Sequence, residues 1–296
     1  MFSKKDQLAG FLLVLPSIIA VGIFVYGFIA WSMRVSFSQW KGLTPDYTFV
    51  GLKNYLNLFS DPRFHVDVRN TVIFTLVFVI GSLLIGLTLA ILLDQHLPGE
   101  AFFRALFLFP MAISFIVTGV VWRWMLNPAM GADRISGLNL LFEQMGLGFL
   151  VNQWHLTPTW GIAAVALAAI WQMSGYTMAL YLGGLRSVPD ELREAARVDG
   201  ASELQIYRRI ILPMLWPVTL SAVIILGHIS LKVFDLIVAV AGKQLPLDVP
   251  AIYMWQTTFD GLFYGRGASI GILLLISVAV LIIPYLYYSL RSGSES

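Results

Sequence analysis

Ser187-Val188-Pro189-Asp190-Glu191-Leu192-Arg193-Glu194-Ala195-Ala196-Arg197-Val198-Asp199-Gly200-Ala201-Ser202-Glu203-Leu204-Gln205-Ile206-Tyr207-Arg208-Arg209-Ile210-Ile211-Leu212-Pro213 is a polar stretch between two long apolar runs. Its order predicts two short helices. Ser187 is placed to cap the first, and Pro189, Asp190 and Glu191 suit the positive end of a helix dipole. Gly200 ends that helix, because glycine takes a left-handed C-terminal conformation without strain. Ser202 and Gln205 have the spacing of a capping box for the second helix, which Pro213 stops or bends.

The residues around this stretch belong in a bilayer. The chain is 58% hydrophobic and only 12% charged over 296 residues, whereas a soluble domain carries about a quarter charged residues. A net charge of +2 gives no electrostatic case for a nucleic-acid partner. Without cysteine there are no disulfides, thiolate metal sites or cysteine nucleophiles. His65, His96, His155 and His228 are scattered and lack metal-ligand spacing. Gly242-Lys243 is followed by Gln244 and has no preceding P-loop glycine, so the chain has no Walker-type ATP site.

Six apolar runs are long enough to span. The first, about Leu8 to Met33, is too long for a signal-peptide core and reads as a retained helix. After a polar connector, Arg34 to Arg69, come Asn70–Leu93, Ala105–Trp122, Trp160–Leu182, Met214–Val240 and Ala268–Leu290. An amphipathic piece, Leu138–Met145, is expected at the membrane interface, and the chain ends in a Ser-rich tail. The expectation is one all-α integral membrane domain over 1–296, with its core at about 66–290 and an N-terminal helix at about 8–33. Basic residues do not orient it. Nine lie on the side of the termini, including Lys4, Lys5 and Arg291; nine lie opposite, including Arg134.

The residues Glu194-Ala195-Ala196, Gly200, Ile210 and Leu212-Pro213, at fixed spacing, resemble the EAA loop of permease subunits of binding-protein-dependent ABC importers. Asp199 falls within the same motif, and the resemblance implies that these residues couple the chain to an ATPase subunit, with the small Ala195 and Ala196 lying against a groove on it. Gly51-Leu52-Lys53-Asn54-Tyr55, Asp61-Pro62, Trp122-Arg123-Trp124, Asn127-Pro128 and Lys232 to Ile237 are similar to carbohydrate permeases of the maltose and glycerol-phosphate type. Asp248 to Ala251 and Arg266 to Ala268 resemble α-glucoside permeases more loosely. The chain departs from the pattern at Ala241-Gly242-Lys243-Gln244, where such permeases often have a Thr-Gly-Gly-Gly-Pro-like turn. The resemblance implies a non-catalytic subunit in a bacterial or archaeal inner membrane, with cytoplasmic termini and a cytoplasmic EAA loop between helices 4 and 5. It further implies a second homologous permease, two ABC ATPase subunits that hold ATP and magnesium, an extracytoplasmic solute-binding protein, lipid around the spans and a sugar substrate. This chain would bind no cofactor itself.

Candidate path residues come from the spans. His228, Lys232 and Asp235 fall at i, i+4 and i+7, one face of a continuous helix. Ionisable groups in a membrane face a cavity or a partner, so the three are candidates to line a path. The plainer reading is that Lys232 and Asp235 neutralise each other near the interface. Trp171, mid-span beside Gln172, is a candidate aromatic platform for a sugar ring. Tyr176, Tyr181, Trp216, Tyr285, Tyr287 and Tyr288 read as interfacial or packing aromatics. Two other classes compete: an ion-coupled secondary transporter using Lys232 and Asp235, and an intramembrane enzyme. No inverted repeat supports the first, and no HExxH, GxSxG or close carboxylate pair within a span supports the second.

Overall fold

The structure, a computed structural model, describes residues 4–95, 98–127, 129 and 135–292. His96, Pro128, Arg134 and the tail from 293 lie outside the described residues, as do the side chains of Lys4, Lys5, Tyr288 and Arg291. The described chain is helical, with one isolated bridge between Ser38 and Phe49 and no strand. In order the helices are α1 (Lys4–Val21), α2 (Phe28–Ser36), α3 (Lys53–Phe59), α4 (Pro62–Asp94), α5 (Glu100–Leu108), α6 (Phe115–Met125), α7 (Gly137–Gln144) and α8 (Gly161–Arg186). Then come α9 (Asp190–Val198), α10 (Glu203–Ile206), α11 (Leu212–Met214), α12 (Trp216–Leu231), α13 (Asp235–Ala241), α14 (Pro250–Trp255) and α15 (Tyr264–Ser292).

Four helical stretches are long and apolar enough to cross a membrane: Gly10–Ser36, Pro62–Asp94, Gly161–Arg186 and Tyr264–Tyr287. Two bent pairs bring the number to as many as six. The third expected span is one of these pairs: Glu100–Ala112 and Phe115–Met125 meet at 98°. Pro110, which has no N–H, sits in the 3₁₀ turn Phe109–Ala112, and the Ser114 Oγ accepts the Val117 N–H to start α6 afresh. The fifth is the other: Glu203–Met214 turns by 62° into Trp216–Leu231.

That fifth span ends sooner than the sequence implied. Helix α12 stops at Leu231, and Lys232 to Phe234 leave helical geometry before α13 begins at Asp235. The residues account for the break. Val233 and Phe234 are modest helix formers, and a carboxylate suits the first turn of a new helix better than the last turn of an old one.

The chain divides into two compact units, Met1–Phe64 with Tyr253–Ile276, and His65–Ile252 with Ser277–Ser296. Within the first, the Asn54 side chain donates to the Ser36 and Ser38 carbonyls at 2.9 Å each, and Leu58, Phe64, Tyr253 and Ile270 form a buried cluster. Its helix Gly10–Ser36 has no buried residue in its most apolar window, with Leu13 and Phe24 80% and 78% exposed. Such a surface is stable only against lipid or another apolar surface.

In the second unit, Ala90 and Leu93 of α4 pack with Met178, Tyr181, Leu182 and Leu185 of α8 and with Ile206, Ile211 and Leu215 beyond it. This core seats the second half of the 187–213 stretch against α4 and α8. On another side of α8, α5 approaches closely because Gly175 lies against the Phe107 carbonyl, where a Cβ has no room.

Candidate functional site

The 187–213 stretch forms a helical hairpin. Helix α9 starts at Asp190 with Pro189 at its N-cap. Ser187 is not the cap; it ends α8, its Oγ donating to the Gly184 carbonyl at 2.7 Å. Ser187 can reach back to a carbonyl of the finished helix, while fixed-φ Pro189 stands directly before Asp190. Asp199 is the C-cap and Gly200 follows at φ +79°. The Gly200 N–H donates to Arg197 O at 3.0 Å and the Ala201 N–H to Ala196 O at 2.9 Å, the paired bonds of a Schellman turn. Across the turn, Arg197 meets Glu203 at 2.7 Å. The capping-box pair is in place, with the Ser202 N–H donating to Gln205 Oε1 at 2.8 Å. A π turn, Tyr207–Ile211, then precedes Pro213, which cannot donate to the Arg209 carbonyl.

The two faces of this hairpin differ. Ala196, expected to lie against a partner, packs instead on the protein's own core together with Ala201. Helix periodicity accounts for this: residues 193 and 196 share a face, and that face points inward. Glu194 and Ala195 are exposed. So are Val198 and Leu204, at 88% and 78%, which sequence reasoning did not single out. The signal was available, since two apolar residues flanking a polar turn have no local partner. Ile210 is half-buried, and Leu212 and Pro213 are exposed near the bend. Arg193 points inward, its Nη1 3.0 Å from Asp94 Oδ2 at the end of α4.

The fifth-span candidates do not share one helical face, because the break at 232–234 separates Asp235 from His228 and Lys232. No ion pair or hydrogen bond among the described residues joins Lys232 to Asp235, and both are exposed. Asp235 stands in the first turn of α13, where the helix dipole favours it. His228 is half-buried, and its buried Nδ1 has no hydrogen-bond partner. Trp171 is 39% exposed and lies tilted against Trp122 of α6 with centroids 6.2 Å apart, while its neighbour Gln172 donates to the Ile113 carbonyl. No bond or ring contact among the described residues links Trp171 to the fifth-span group.

A further polar cluster lies within the first unit. Asp61 accepts from the Tyr253 hydroxyl at 2.7 Å, from the Arg63 N–H at 2.9 Å and from Arg266. The Tyr253 ring lies under Arg63 at 4.2 Å and near Arg266 at 5.4 Å. Burial pushes the Asp61 carboxyl up, but its hydrogen bonds and the Arg266 charge outweigh this and hold it below the usual range. Burial and the bond to Asp61 push the Tyr253 phenol up. Arg63, Tyr253 and Arg266 line an open recess of about 530 Å³ with Gln256, Thr257 and Asp260. Separations of about 190 to 205 residues hid the cluster from sequence reasoning. In the second unit, buried His155 is held toward the neutral form, first by burial and then by the Arg123 charge.

Residues 82–293 match the family model for the binding-protein-dependent transport system inner membrane component. The chain belongs to that family. Members similar to it include a probable ABC transporter permease protein of Pyrococcus horikoshii, 43% identical with 96% of each chain covered. A xylose/arabinose import permease protein of Haloferax volcanii is 38% identical over 93% of this chain and 86% of its own. The fold agrees with a chain of a crystallised bacterial ABC transporter involved in import of the acidic polysaccharide alginate, at TM-score 0.79 and 21% identity. That match covers 97% of this chain and 96% of the other. The protein is thus a helical, multi-pass inner membrane component of the importer family.

Proposed function

We propose that this chain is one permease half of an ATP-driven carbohydrate importer and that the 187–213 hairpin docks on a cytoplasmic ATPase subunit. One observation carries the reading: a rigid, doubly capped hairpin offers Glu194, Ala195, Val198 and Leu204 outward from a membrane protein. An exposed apolar pair on an ordered turn is a surface for a partner. The named sugar permeases among the relatives support carbohydrate as the substrate class.

In this reading the termini and hairpin are cytoplasmic, two ATPase copies bind ATP and magnesium, and a homologous permease completes the path. An extracytoplasmic binding protein delivers the solute. The chain does no covalent chemistry; ATPase closure moves the hairpins, and the spans alternate between outward and inward openings. His228, Lys232, Asp235 and Trp171 are proposed to face that path. Membership of a binding-protein-dependent family leaves the ion-coupled reading without support.

The test is reconstitution of this chain in liposomes with its second permease, ATPase and binding protein. Sugar uptake should require ATP, the binding protein and the ATPase. Uptake that persists without the ATPase and collapses on dissipating a proton gradient would overturn the proposal.

A further inference from the structure

Helix α9 has little footing of its own. None of its residues is fully buried, and Ala196 alone among its apolar residues packs on the core. A lever that rocks on its base transmits nothing, so its attachment decides whether motion at the hairpin reaches the spans.

The attachment is Arg193. Its guanidinium reaches two elements at once: Nη1 donates to Asp94 Oδ2 of α4 at 3.0 Å, and Nη2 to the Leu185 carbonyl of α8 at 3.1 Å. The pair is sheltered, with side chains 17% and 6% exposed. A planar guanidinium can serve both acceptors in fixed directions, which an ammonium on a flexible stem does not do as well. Its buried Nε has no partner, so the placement favours these two contacts over full satisfaction.

Asp94 is the odd residue of the pair. A carboxylate as the last residue of a long helix faces the negative end of the dipole, an unfavourable place unless a cation answers it. Here the cation comes from α9. A second, more exposed bridge, Arg186 to Glu100 at 2.7 Å, ties the end of α8 to the start of α5 beside it. Arg193 therefore gathers α4, α8 and α9 at one point.

We infer that Arg193 and Asp94 form a positioning latch that makes α9 move as one piece with the ends of α4 and α8, so that displacement of the hairpin becomes displacement of the spans. The inference rests on the reading of the hairpin as the ATPase-docking element. It assigns these two residues to coupling, apart from docking.

The chain has no cysteine, so introduced thiols are unique within it. In the reconstituted complex with cysteine-free partners, Arg193→Gln and Asp94→Asn should keep the ATPase bound and hydrolysing. Sugar taken up per ATP should fall at least tenfold. The double variant Asp94→Cys with Arg193→Cys should show the same defect until a short bis-maleimide joins the two positions, one thiol adding across each maleimide double bond, which should restore most of the uptake per ATP. A merely structural pair would change complex yield or thermal stability and leave that ratio alone. Single variants with the wild-type ratio would overturn the latch. So would a cross-linked complex that binds ATPase but cannot transport, because the pair would then have to open during the cycle. If the single variants fail to assemble, the cross-linked variant decides alone, and failure to recover uptake counts against the latch. A wild-type complex that recruits no ATPase would instead sink the docking reading.

Discussion

The hairpin at 187–213 and the break at 228–235 are both polar interruptions of apolar helices, but they settle their polar groups differently. In the hairpin nearly every group has an internal answer: the Schellman bonds at Gly200, the capping box at Ser202 and Gln205, the Arg197–Glu203 bridge and the Arg193–Asp94 pair. What remains outward is Glu194, Ala195 and the apolar Val198 and Leu204. At the break, Lys232 and Asp235 stand exposed and unjoined, and the His228 Nδ1 is buried without a partner. Satisfied polar groups make an element rigid, whereas ionisable groups left open within a span are expensive and await something else. A rigid element suits transmitted force. An open one suits a path.

The largest effects should come from disturbing the rigid region. Gly200→Val places a β-branched residue at φ +79°, with strain of about 1–2 kcal/mol or more, and should misalign the two short helices. Glu194→Lys reverses the charge on the outward face. Both variants should insert normally yet lose at least tenfold in binding-protein-stimulated ATP turnover and in uptake, measured together in liposomes. Normal turnover and uptake in both would erase the distinction between the regions.

A smaller, selective effect is expected at the break. Asp235→Asn should change uptake kinetics severalfold while the complex still assembles, as judged by partner recovery on purification. If Lys232→Met and Asp235→Asn each fail but the double change recovers, the two charges neutralise each other in the working complex and do not line the path, because each single change leaves a lone charge.

The smallest effect concerns pH. His155 has a folded pKa below its ordinary 6.5, so its neutral form favours folding above that value. As pH falls from about 6.5 through the lowered value, the unfolded chain takes up the proton first and stability declines. The Tm should therefore drop by a few degrees more between pH 7.5 and 5 in the wild type than in His155→Asn.

The helical class, the number of apolar runs and the hairpin's internal caps were legible because they rest on local rules: run length, the φ demanded at Gly200, and the spacing of Ser202 and Gln205. The break after Leu231 was not, since neither glycine nor proline marks it and the helical period runs on through Asp235. Which face of α9 turns inward was equally hidden. Ala195 and Ala196 look alike in sequence, and only packing against α4 and α8 separates them. The Asp61, Tyr253 and Arg266 cluster and the Arg193–Asp94 pair depend on contacts across about 100 to 200 residues, beyond any local rule.

If the hairpin docks as proposed, its outward face meets an ATPase and its inward face does not. Because the chain has no cysteine, Val198→Cys, Leu204→Cys and Ala196→Cys can each be tested singly in inverted membrane vesicles against a cysteine-scanned ATPase groove. Val198→Cys and Leu204→Cys should form cross-linked adducts with the ATPase subunit in complexes that still transport, and Ala196→Cys should form none. Adducts at Ala196→Cys with none at Val198→Cys or Leu204→Cys, or no adduct at any position in an active complex, would rule out docking through this face.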